Sequence, residues 1–356
     1  MKRELGEMSY NPGIFRLGFW GDYNKYADLF NRKLPGAIIL ATYAKPMTAN
    51  ELSVELGVAM PYLEEEIESL EAAGVIKNIR EKYYANLIIF TDEYETAFVK
   101  STCGIYSSLA DSVWGKVNAL LPEIRRLDFK GNDYDDNRLI FAILNIAFVK
   151  GYHRAGEKSP NSKPPKLPIG GHGWVFGYDN DYKNHHFHGV CMETWNKGRT
   201  AWFSAENYNV IKKAQLYEHK RFFDKIEIMC DAILGNPADR ENDMLPELIE
   251  NGFIMCRDNV LSANFPVFEE TVFKKLVLML DNIIDEVSCC MIDISHRATA
   301  ELKKIVPEYL KNQCEDVAKI HHRLDVAAFL FEELIGNNRL VVPDEKIPLC
   351  VWGVKV

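Results

Sequence analysis

The chain has 356 residues, 47% of them hydrophobic and 26% charged, which is the composition of a folded globular protein and excludes general disorder. No apolar run approaches the roughly 18 residues of a membrane span, and no apolar segment follows Met1-Lys2-Arg3-Glu4, so neither a membrane span nor a secretory leader is expected. Eight cysteines without a C-x-x-C pair read as free thiols of a cytoplasmic protein, and 42 Lys/Arg against 51 Asp/Glu give a net charge of −9, so bulk charge does not announce a nucleic-acid binder.

Residues 1–35 carry Tyr10, Phe15, Phe19, Trp20, Tyr23 and Tyr26 and read as an arm, extended or a short helix, packed on the body. Residues 36–95 give the clearest pattern. A short apolar helix over 37–44 stops at Pro46. Thr48 with Glu51 three residues on is a capping box, and the helix it starts carries Leu52 and Leu56 before Gly57 ends it. A third helix spans about 61–73. Leu63, Ile67 and Leu70 form its apolar face, and Glu64, Glu65, Glu66, Glu68 and Glu71 cover the others as a solvated surface. Gly74 terminates it. Strands at 75–79 and 83–90 follow, joined by Arg80-Glu81-Lys82.

Residues 96–214 read as helices plus a small sheet, a candidate effector region. A long amphipathic helix covers 94–127, a Pro/Lys/Ser loop covers 153–170, and strands are expected at 173–178, 187–193 and 200–204. Residues 269–356 begin with a second long amphipathic helix at 269–306, in which Cys289 and Cys290 read as core. His321 and His322 lie on a further helix, with one of the pair facing solvent. A two-stranded element follows residue 340.

The residues Glu51-Leu52, Leu56-Gly57-Val58, Leu63, Ile67, Leu70 and Gly74-Val75-Ile76, in the order helix, helix–turn–helix, hairpin, resemble the winged helix-turn-helix domain of bacterial transcriptional regulators. The resemblance covers about 60 residues. It implies a winged-helix fold and a DNA-binding role, although winged helices also serve as protein-interaction modules.

The wing recurs further along. Residues 70–90 align without gaps to 248–268, with six of 21 positions identical, among them Gly74/Gly252 and Asn86/Asn264. Arg138-Leu139, Ala142 and Gly151 match Arg323-Leu324, Ala327 and Gly336 at a shift of 185. The pattern predicts a tandem duplication, with residues 215–268 a degenerate winged-helix-like unit in which Asn236-Pro237 and a charged run replace the second helix. The fold expected is α+β and mostly α-helical: an N-terminal winged helix-turn-helix plus a larger helical body with small antiparallel sheets.

Charge tests the DNA reading. Residues 1–95 hold ten Lys/Arg and fifteen Asp/Glu. Only the first turn of a recognition helix enters the groove deeply, so Met60 and Tyr62 are the expected base readers. Thr48 and Asn50 would touch phosphate from the preceding helix, and Lys77, Arg80 and Lys82 from the wing. Trp174, Tyr178, Trp195 and Trp202 are the expected ligand-binding residues, aromatics beside turn-rich loops as a small-molecule effector pocket requires. His185, His186 and His188 lack standard metal-ligand spacing, so no metal or other cofactor is expected. No G-x-S-x-G, H-E-x-x-H, P-loop or G-x-G-x-x-G occurs, so no enzyme is expected. The reading is a one-component regulator with DNA as partner, sensing a small molecule or a partner through its body and pairing as a homodimer or within one chain. The alternative is a winged-helix protein–protein interaction module that touches no DNA.

Overall fold

The computed structural model describes residues 15–21, 26, 29, 32–179, 193–196, 200–205, 222–237, 239, 241–341 and 350–355. The described chain is mostly helical with small sheets, and none of its helices is long and apolar enough to cross a membrane. It divides into two units, each discontinuous in sequence: residues 1–103, 160–184 and 294–322, and residues 104–159, 185–293 and 323–356.

In the first unit, α1 (Lys33–Ala44) is buried continuously from Pro35 to Thr42, as a helix apolar on all sides must be. Around it pack α2 (Ala49–Leu56), α3 (Met60–Ala72) and the hairpin β2 (Ile76–Ile79)–β3 (Lys82–Ala85), sharing one core of Ile38, Ile39, Leu52, Leu63, Leu70, Ile76 and their neighbours. The capping box at Thr48 is formed: its Oγ accepts from the Glu51 N–H at 3.2 Å, and its own N–H donates to the Glu51 carboxylate at 2.7 Å. Gly57 closes α2 at φ +65°. Met47 bridges to Tyr83, so the α1–α2 connection adds an antiparallel rung on the outer side of β3.

A separate three-stranded sheet has β5 (Gly173–Tyr178) at its centre. β1 (Arg16–Gly21) runs antiparallel to it, with Arg16 opposite Tyr178, and β4 (Ile88–Phe90) runs parallel to it, with Ile88 opposite Phe176. The expected strand over 83–90 is thus two strands in two sheets, because the chain turns at Asn86. The aromatic arm supplies β1. Helix α4 (Asp92–Thr102) leaves β4, capped by Thr91 accepting from the Tyr94 N–H.

The second unit holds α5 (Ile105–Ile124), α6 (Asp136–Lys158), α7 (Phe222–Leu234), the six-residue α8 (Leu245–Glu250), the hairpin β8 (Ile254–Arg257)–β9 (Val260–Ala263), and α9 (Glu270–Met279). Its sheet has the order β10 (Val267–Glu269), β11 (Cys350–Lys355), β7 (Thr200–Ala205), β6 (Glu193–Asn196). β11 runs parallel to β10 and antiparallel to β7. Two long helices, α10 (Asp281–Ile305) and α11 (Cys314–Gly336), give residues to both units, with a 3-10 turn (Glu308–Gln313) between them.

Both long amphipathic stretches are broken. Gly104 at φ +79° separates α4 from α5, and Leu280 separates α9 from α10. The expected loop over 153–170 begins later, because α6 runs to Lys158. Of the expected C-terminal strand pair, residues 342–349 lie outside the described residues; β11 pairs with β10 and β7, both far away in sequence.

Elements recur at a spacing of 178 residues. The hairpins β2–β3 and β8–β9 have one register, with Ile76 opposite Ala85 and Ile254 opposite Ala263. Arg80 and Glu81 at φ 54° and 65° answer Asp258 and Asn259 at 50° and 63°. The Asn86 amide donates to the Gly74 carbonyl at 2.9 Å, and the Asn264 amide to that of Gly252 at 2.8 Å. α6 and α11 start and stop at the same offset. These helix ranges are 178 apart, whereas the sequence match of Arg138 with Arg323 lies at 185.

Asn86→Ala and Asn264→Ala should each destabilise the protein by about 1 kcal/mol, the worth of a net hydrogen bond, read as a lowered urea midpoint at unchanged slope. An unaltered midpoint in both would show that neither amide holds its corner.

Candidate nucleic-acid interface

The α2–α3 corner presents the first turn of α3. Pro61 at the start pre-sets a helical φ. Leu63, Glu66, Ile67 and Leu70 turn inward. Tyr62 is left 70% exposed and Val54 of α2 77% exposed, while Met60 is half-buried. Asn50 is exposed. Thr48 is half-buried and its side chain is engaged as the cap of α2, so its role here is to set the start of that helix.

Arg80 and Lys82 are exposed at the hairpin tip, as is Lys45 at the end of α1. Glu51 lies among these cations. Its carboxyl is held below the usual carboxylate range by the bonds from Thr48, with Lys82 and Lys45 adding to the effect. Lys77, expected on the outer edge of the wing, is instead half-buried, with its ammonium 4.4 Å from the centre of the Tyr309 ring. Tyr309 also donates to the Ala85 carbonyl at 3.0 Å and meets Tyr84 edge to face. Burial pushes its phenol up to about 12, so it remains a neutral donor bracing the hairpin base.

The acidic face of α3 is divided. Glu64, Glu65, Glu68 and Glu71 are exposed, but Glu66 is buried and paired with the Arg32 guanidinium. The expectation that all five are solvated fails at Glu66. Its spacing of three from Leu63 and four from Leu70 places it on the inward stripe, a signal present in the sequence.

The second unit differs at the equivalent corner. α7 is followed by Pro237 bridging to Val260, as α1 is followed by Met47 bridging to Tyr83, but residues 238–244 form no helix among those described. In place of a second helix is a cleft of about 390 Å³ lined by Asp224, Glu227, Asp231, Asp239 and Asn242 over Ile228, Met244, Leu245 and Leu261. Such a lining repels phosphate.

The four aromatics expected to line one pocket stand on two sheets. Trp174 and Tyr178 are on β5 in the first unit, and Trp195 and Trp202 are on β6 and β7 in the second. Trp174 is buried in its sheet. Tyr178 bonds to His321 at 3.2 Å. Neither histidine of the pair on α11 is exposed: His322 is buried and shares a 2.5 Å hydrogen bond with the Tyr94 hydroxyl. Cys289, expected in the core, is exposed. His185, His186 and His188 lie outside the described residues.

Comparison of the chain with known protein families, curated proteins and solved structures finds no match.

Two outcomes follow for the corner. Thr48→Ala should cost about 1 kcal/mol of stability by removing the cap. The Glu51 contribution has a defined sign: a depressed carboxyl stabilises the fold above its unfolded value and is lost as pH falls through its folded one. Glu51→Gln should therefore flatten part of the acid limb of a stability–pH curve measured by urea unfolding. Separately, Glu81→Asn should raise stability by about 0.5–1 kcal/mol, since asparagine tolerates the left-handed conformation better. A lowered melting temperature would contradict that.

Proposed function

We propose that residues 33–90 are a winged helix-turn-helix, that the chain is a tandem duplication of this element with its following helices and strand, and that the first copy binds duplex DNA as the reading head of a transcriptional regulator. The observation that carries the reading is the open α2–α3 corner. Tyr62 stands outward on the first turn of α3, and Arg80, Lys82 and Lys45 are exposed at the hairpin tip and the end of α1. Support for the duplication comes from the shared hairpin register, tip dihedrals and Asn–Gly bonds at a spacing of 178 residues. Among the described residues the second copy has no helix between α7 and α8 and has acids there, so DNA reading is assigned to the first copy alone.

A second reading is favoured by one observation. The outward stripe of α3 carries Glu64, Glu65 and Glu68 beside the exposed Tyr62 and Val54. An acidic stripe with an apolar end suits a basic protein partner better than a phosphate backbone.

Selection from random duplex DNA followed by anisotropy titration tests both. Under the DNA reading, affinity falls with salt by only a few phosphate contacts. Arg80→Ala and Lys82→Ala then weaken all sequences alike, and Tyr62→Ala relaxes preference by about 1–3 kcal/mol at the contacted base. Glu65→Lys strengthens DNA binding under this reading. No salt-sensitive binding to any duplex at low ionic strength would sink it and leave the protein-docking reading. Glu66→Lys is unsuitable as a test, because it breaks the buried pair with Arg32.

A further inference from the structure

We infer that the two halves of the chain, residues 1–184 and 185–356, are exchanged partners: each half completes the fold of the other, so the backbone between them can be cut without separating them. The inference goes beyond the reading above and does not depend on DNA binding.

The first unit takes residues 1–103 and 160–184 from the first half and residues 294–322 from the second. The contribution from the second half is central to that unit. His322 reaches Tyr94 at 2.5 Å inside a cage that includes Phe98, whose ring centre is 4.2 Å away. His321 lies tilted against Phe90, with ring centres 4.4 Å apart. Tyr309 braces the hairpin. Asp316 accepts from the Ser162 N–H at 2.7 Å.

The second unit reverses the donation. It takes residues 104–159 from the first half and the rest from the second. Phe129 stacks on Phe268, the counterpart of Phe90, at 4.4 Å. Arg138 donates to the Asn264 carbonyl and side chain, at the corner equivalent to Asn86. Lys130 and Val267 exchange backbone hydrogen bonds. Lys116 pairs with Glu286 at 2.7 Å, and a Cβ at Gly151 would meet Val287 at 2.7 Å, so α6 and α10 approach too closely there for any side chain.

Each unit therefore has a core built from both halves. This is the pattern of a homodimer that has traded identical helices, here carried in one chain. Removing either half leaves Tyr94, Phe90 and Phe98, or Phe268 and Asn264, without the groups that cover them.

The test uses the full chain with a protease recognition sequence inserted between residues 184 and 185, cleaved after folding and checked on a denaturing gel. The two fragments should co-elute on size exclusion at the position of the uncut protein. In a urea series, their separation and the loss of the helical circular-dichroism signal should share one midpoint, because dissociation requires both cores to open. Fragments that elute apart in native buffer with helical signal retained would overturn the inference. So would separation at a urea concentration that leaves the helical signal intact, since that would mean the halves merely adhere.

Discussion

The bond from an asparagine amide to a glycine carbonyl fixes the geometry on which both units are built. At Gly74 the chain leaves α3 with φ +74°, and at Gly252 it leaves α8 with φ +76°. A Cβ at Gly74 would lie 2.6 Å from Pro168, so the conformation and the close approach both require glycine. Twelve residues later the asparagine spans the mouth of the hairpin and satisfies that carbonyl, while its own N–H bonds back to residue 75 or 253. Helix end, hairpin and the departure toward β4 or β10 are thereby tied at one point. The strand leaving that point then meets β5 or β11 in parallel, a pairing that no local turn could specify.

What surrounds this corner is free to differ. In the first unit the corner is preceded by α2, whose capping box and left-handed Gly57 make it self-sufficient as a short helix. In the second unit, among the described residues, the six-residue α8 stands before the corner with no such helix between it and α7. The core there is closed by Met244, Leu245, Leu248 and Leu261, which share one buried cluster with Ile228 and Met229. The cleft at that place has an acidic polar lining.

Local features were legible in the sequence because their causes are local. Thr48, Glu51, Gly57 and Gly74 mark their helix ends through backbone hydrogen bonds within a few residues, and the first hairpin follows from two short strand-like runs around the charged turn at Arg80-Glu81. The partners of β1, β4 and β11 were not legible, since parallel and long-range pairing leaves no mark at one strand. Nor was the mixing of the halves in each unit, because Tyr94 and His322 are 228 positions apart. At the corner, Tyr62, Arg80 and Lys82 were correctly read as outward. Lys77 and Glu66 were not, because each is decided by a distant partner, Tyr309 and Arg32. The four aromatics shared a stretch of sequence, but their strands belong to different sheets.

The two hairpin tips share their dihedrals but not their chemistry, and this bears on the order of folding. Asp258-Asn259 are residues that enter the left-handed region readily, whereas Arg80-Glu81 must be forced there by the closing strands. The turn at Asp258-Asn259 can form ahead of its strands and seed them. The turn at Arg80-Glu81 has to wait for Ile76 to find Ala85 and for Met47 to add its rung. Of two hairpins with one register, the second is therefore the one suited to nucleate, and the first, with its charged tip, to zip late from its open end.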